Sequence, residues 1–187
     1  LLEPGIFQSI TELEKKAKKD ADGYLKFWQG FGAVLKEGIY EDFERKDRLL
    51  KLARFKSTTS GDGYTSLEEY VGRMKDDQTA IYYITGDDLE AIRRSPQLEG
   101  FAAKGVEVLL MTDAVDDFWI TSVPDFEGKA LKSATRSGDD LDALSGAGDE
   151  EDNDKDAAAN SNVSPLIALL KETLGDHVKD VRASSRL

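Results

Sequence analysis

The chain has 187 residues, 33% of them charged and 40% hydrophobic, and carries a net charge of −12; that suits one large or two small helix-rich globular domains. No apolar run approaches bilayer length, no signal peptide is visible, and the absence of cysteine excludes disulfides and thiolate metal sites and fits a reducing compartment. Residues 139–156 hold nine acids and one base, a net −8 of the total −12, so the remainder is only mildly acidic and argues against a basic face for nucleic acid.

The first third reads as three helices. Ile10, Leu13 and Ala17 share one face of the first, which should fray near Asp20. Tyr24, Phe27, Trp28, Phe31 and Leu35 form a broad apolar stripe on the second, with Trp28 and Phe31 expected in the core. Asp42 is placed to cap a third, with Phe43, Leu49, Leu50 and Ala53 facing inward. Short connections imply antiparallel neighbours and a three-helix coil over about residues 1–55.

Residues 57–63 (STTSGDG) make a loop, after which Ser66 and Glu69 form a capping box for a helix carrying Leu67, Tyr70, Val71 and Met74. Two fully apolar strands follow, at residues 79–86 and 105–112, each leading into a polar turn and an acidic helix start. Strands separated by helical sequence make a βαβ unit, hence a mainly parallel sheet covered on both faces, and a small three-layer α/β/α sandwich over residues 56–187. Between them Asp87 is read as the cap of a short helix, Ser95-Pro96 as the start of another, and Gly105 as its end. Val115, Phe118 and Trp119 line the next helix, which Pro124 stops, and residues 129–135 are a weaker strand. Residues 137–161 collapse to Asp, Glu, Gly, Ala, Ser and Asn and are expected to form a flexible acidic insert. Ser164-Pro165 then opens a helix bearing Leu166, Ile167, Leu169, Leu170 and Leu174, ended by Gly175, before a final strand near Val178–Arg182.

Sites for chemistry are sparse. Ligands of parallel sheets bind beyond the carboxyl ends of the strands, but Asp87 and Asp88 stand where a phosphate binder carries glycines and positive charge. Gly30-Phe31-Gly32 lacks its third glycine and lies in a helical pattern. Asp152, Asp154 and Asp156 fit the first positions of a calcium loop, but Ala157 and Val163 replace the required glycine and glutamate. The single histidine, His177, reads as a helix-terminus partner, and Asp116-Asp117, being adjacent, diverge on a helix and form no dyad. No catalytic, cofactor-binding or metal-binding residue is therefore assigned. Phe118 and Trp119 cannot both face one core, so one of them should reach the surface and suit protein contact.

Several stretches carry a resemblance: residues 27–58 (FWQGFGAVLKEGIYEDFERKDRLLKLARFKST), 66–86 (SLEEYVGRMKDDQTAIYYITG), 105–119 (GVEVLLMTDAVDDFW), 126–129 (FEGK), and 180–182 with 185–187. Together they resemble the bacterial ninety-kilodalton heat-shock chaperones, the high-temperature protein G type, in the later part of the middle segment up to the border of the C-terminal domain. The start at Leu1-Leu2 and the end at Arg186-Leu187 likewise read as a piece of a longer protein. The resemblance implies a homodimeric, cytoplasmic, ATP-dependent chaperone whose ATP and magnesium are held by a separate domain. This chain would be no enzyme by itself, would need no cofactor, and would link the ATPase and dimerisation domains while offering surface to client proteins. Its client-contact candidates are Asp117, Phe118 and Trp119. Two other readings are a metal- or nucleotide-dependent enzyme using the acidic strand ends near Asp87 and Asp113, and a purely structural spacer.

Overall fold

The structure, a computed structural model, describes residues 4–137 and, beyond them, 141, 144, 165, 167, 169–171 and 173. Three helices open the chain: α1 (Pro4–Lys19), α2 (Ala21–Glu41) and α3 (Lys46–Leu52). Asp20 ends the first and caps the second, accepting the Gly23 N–H at 3.0 Å. Arg48 ties α3 to α1 through Glu14 at 2.8 Å, and the Tyr24 hydroxyl donates to the Leu52 carbonyl at 2.7 Å. That bond, with Arg54 donating to the carbonyls of Lys51, Leu52 and Ala53, satisfies the orphaned C-terminal end of α3.

The stripe on α2 is rotated from the expected one. Its buried positions are Tyr24, Trp28, Gly32, Lys36 and Ile39, whereas Phe31 is 57% exposed. The helix turns its glycine inward because the Trp28 ring lies over Gly32, where a Cβ would sit only 2.7 Å from the ring. Phe43 is likewise outside, 74% exposed, because Asp42 binds the Arg45 N–H and guanidinium and folds the chain into a turn before α3 begins.

A five-stranded sheet follows, in the order β1 (Lys56–Ser57), β3 (Val108–Met111), β2 (Ala80–Thr85), β5 (Lys129–Ser133), β4 (Asp125–Phe126). The three central strands are parallel, with Tyr82 opposite Val108 and Ala80 opposite Ala130. Each edge is a two-residue antiparallel strand, so the exposed edge is short. β4 and β5 join through Glu127 and Gly128, both at positive φ (51° and 78°), the mirror-image turn that suits a twisted hairpin. Helix α4 (Leu67–Gly72) starts on the complete Ser66–Glu69 capping box. The β2–β3 crossover holds α5 (Leu89–Arg93), a 3₁₀ turn (Pro96–Leu98) and α6 (Glu99–Ala103). Gly105, at φ +63°, ends it.

Alternation along the strands divides the side chains between two cores. Ile81, Leu109 and Met111 pack with the three helices, α4 and α7 (Asp116–Ser122). Ala80, Tyr82, Ile84, Val108 and Leu110 pack with Ile92, Leu98 and Phe101. Helices on both faces of the sheet make the α/β/α layering that the βαβ pattern implies. Ser137, Leu141 and Leu144 fall in the stretch read as a flexible insert, yet they are buried, the two leucines within the second core. Leu141 and Leu144 are apolar neighbours three residues apart, enough to dock one turn, and Lys104 fixes that turn through the Leu144 carbonyl at 2.5 Å. Pro165, Ile167, Leu169, Leu170, Lys171 and Thr173 are helical, in keeping with the helix expected there. The calcium-like aspartates, Gly175, His177 and the strand expected near Val178–Arg182 lie outside the described residues. No helix among the described residues is long and apolar enough to cross a membrane.

Candidate functional site

The exit of β3 is organised by a buried charge cluster. Lys36, from α2, places Nζ 2.8 Å from Asp116 Oδ1 and 2.8 Å from Asp113 Oδ2. Asp116 is buried with it and also accepts the Trp119 indole N–H at 2.7 Å and the Asp113 N–H at 3.1 Å. Phe55 completes the enclosure, its ring 4.9 Å from the ammonium and 5.8 Å from the Trp119 ring. Every polar atom of this cluster that faces inward thus has a partner, as a buried ion pair requires. The cluster pins the start of α7 to the C-terminal part of α2, so the two helices form the walls of one groove.

That groove encloses about 300 Å³ and is lined by Glu37, Tyr40 and Glu41 of α2 and by Ala114, Val115 and Phe118 at the start of α7. Tyr40 is 54% and Phe118 62% exposed. Two large aromatic rings facing water across one depression are a surface that gains free energy by being covered. The acidity of the groove comes from Glu37 and Glu41, both exposed.

The residues singled out in the sequence separate here. Consecutive helical side chains diverge by about 100°, so Phe118 points to water while Trp119 is fully buried, at 0% exposure. Trp119 is therefore a core residue and presents no ring to a partner, a correction to its reading as a contact residue. Asp117 is exposed but is not among the groove's lining residues. Its charge acts on Tyr83 instead: burial pushes that hydroxyl's pKa up, Arg136 opposes this, and Asp117 adds to the rise. Sequence patterning missed Glu37, Tyr40 and Glu41, since nothing in the α2 stripe shows that α7 lies beside its last two turns.

The acidic strand ends do not converge on a site. Asp88, not Asp87, caps α5 by accepting the Ala91 N–H at 2.7 Å, since the chain runs one residue further before turning. Asp113 is committed to Lys36. Asp87 borders a separate open cleft of about 260 Å³ beyond β2, and no group of three or more His, Asp or Glu side chains among the described residues is placed to hold a metal. The glycines at 30 and 32 lie inside α2, so neither segment offers the backbone cradle a nucleotide phosphate needs. The acidic-end enzyme reading is not supported.

Comparison with known proteins gives one consistent answer. The family profile described as Hsp90 protein matches residues 3–187. The chain is 52% identical over 184 residues to the Chaperone protein HtpG of Paramagnetospirillum magneticum, a match covering 98% of this chain and 29% of that protein. Its identity to the HtpG of Azorhizobium caulinodans is 53% over 182 residues, covering 95% and 28%. It thus spans under a third of the length of these relatives. Among solved structures, the middle domain of a Plasmodium falciparum heat shock protein matches with a TM-score of 0.67 at 32% identity, covering 70% of this chain and 55% of that one. Sequence, topology and these matches agree that the chain belongs to the Hsp90 family, within the region that includes its middle domain.

Proposed function

We propose that this chain is the part of an ATP-dependent molecular chaperone that links the ATPase domain to the dimerisation domain and offers contact surface to unfolded clients. Support comes from the family membership and from one structural observation above all, the exposed Phe118 and Tyr40 that line one α2–α7 groove. An exposed aromatic pair in a shallow depression suits transient capture of apolar side chains from loosely folded chains. In this reading the parent is a cytoplasmic homodimer whose ATP and magnesium belong to another domain, and the chain has no ATP turnover by itself. Residues 1–55 act as the coil that joins the upstream domain, and residues 56–187 as the sandwich.

The test is client binding by the parent protein carrying Phe118→Ser. Affinity for an unfolded client should fall while ATP turnover and folding stability are retained; unchanged affinity would remove the site. Turnover of ATP by the isolated chain would remove the assignment of nucleotide to another domain.

A further inference from the structure

Glu37 and Glu41 break two local rules of helix stability at once. They are four residues apart, so their like charges face each other along α2. They also occupy its last two turns, where the helix dipole favours cations, and no basic residue stands in the last turn to offset them. Among the described residues neither has a cation within ion-pair distance, whereas Lys36, Arg45 and Arg48 are paired with other acids. Helix physics therefore leaves both carboxylates uncompensated, beside two exposed aromatics and a depression of about 300 Å³. Local conflicts of this kind concentrate at functional surfaces.

We propose that the groove selects segments in which a bulky apolar residue is flanked by lysine or arginine: the apolar residue seats between Tyr40 and Phe118, and the cation is met by Glu37 and Glu41. This rests on the client-contact reading above and narrows its substrate class to basic unfolded segments. The two carboxylates supply selectivity and the two aromatic rings supply adhesion, so the effects separate by mutation.

Three fluorescent peptides with the same Leu-Phe centre, flanked by Lys, by Ser or by Glu, would be titrated with the full chain. The Lys-flanked peptide should bind about tenfold more tightly than the Ser-flanked one, the Glu-flanked one more weakly still, and the spread should narrow in salt. Glu37→Gln with Glu41→Gln should erase the preference by lowering the Lys-flanked affinity to that of the Ser-flanked peptide. Phe118→Ser should weaken all three alike. Equal affinities for the three peptides, still weakened by Phe118→Ser, would overturn the selectivity and leave the groove as a client site. No effect of Phe118→Ser on any peptide, or no binding at all, would overturn both.

Discussion

Lys36 and Asp116 face each other at 2.8 Å with both side chains withdrawn from water, one from the helical coil and the other from the first turn beyond β3. Removing either partner strands a charge in the interior. Lys36→Met should destabilise the chain by about 3–5 kcal/mol, read from urea unfolding. Asp113→Asn, at the half-exposed arm of the same cluster, should cost no more than about 1 kcal/mol. Equal losses for the two would mean that burial is not what gives the pair its weight.

Phe118 and Trp119 are sequence neighbours with opposite fates. Phe118→Ser should leave stability within about 0.5 kcal/mol of the parent, whereas Trp119→Ser should cost about 3–5 kcal/mol by emptying a packed site and orphaning an Asp116 hydrogen bond. Thermal melts of the two single variants, rather than of the double, separate a surface role from a core one.

Glycines in α2 make a second matched pair. A Cβ at Gly30 meets nothing within 4 Å, while one at Gly32 meets the buried Trp28 ring at 2.7 Å. Gly30→Ala should therefore stabilise by up to about 1 kcal/mol through helix propensity alone. Gly32→Ala should destabilise by about 1–3 kcal/mol, since the ring has to shift within a filled core. If both stabilise, the Trp28 contact is softer than its geometry implies.

Stability should fall at both ends of the pH scale for traceable reasons. At Glu107, burial pushes the carboxyl pKa up, but hydrogen bonds from Arg73, Ser57 and Thr59 outweigh it and hold it below 4.5. Its folded pKa is the lower one, so its contribution is present above about pH 4.5 and is lost as pH falls through the folded value. At Tyr24, burial lifts the hydroxyl from 10.0 to about 12, with Arg54 opposing. That contribution is complete below pH 10 and is lost as pH rises toward about 12. Glu107→Gln should flatten the acid limb of a urea-stability profile. Tyr24→Phe should flatten the alkaline one, at a cost near neutrality of about 1 kcal/mol for the lost bond to Leu52.

Relief of the crowded charge on α2 should raise stability. Glu41→Gln removes a like-charge contact and an unfavourable dipole interaction, each worth a few tenths of a kcal/mol, so a gain of about 0.5 kcal/mol is expected. A loss instead would show that Glu41 already has a stabilising partner.

Much of the fold was legible because local chemistry and global architecture agree in it. The Ser66–Glu69 capping box, the Ser95-Pro96 start, Gly105 and the two apolar strands each state their role in a few residues, and the structure uses them so. Phe31 and Phe43 misled because hydrophobicity alone places large aromatics inside, whereas here a glycine and a lysine take the inward positions of α2. Lys36 could not have been read as buried, since its partners lie 77 and 80 residues away. The groove was half visible: the divergence of Phe118 and Trp119 follows from helix geometry, but Glu37, Tyr40 and Glu41 join it only through the packing of α2 on α7. The docking of Leu141 and Leu144 was hidden by the acidic composition around them.

The two walls of the groove come from distant parts of the chain, α2 from ahead of the sheet and α7 from beyond β3, and one buried lysine fastens them. A segment lodged between them would touch both helices at once, like a wedge in a hinge. Its binding and the stiffness of that joint would then share one coupling free energy, the same measured from either side. Whatever bends the coil against the sheet would loosen the guest by the same free energy that the guest spends in holding the two together.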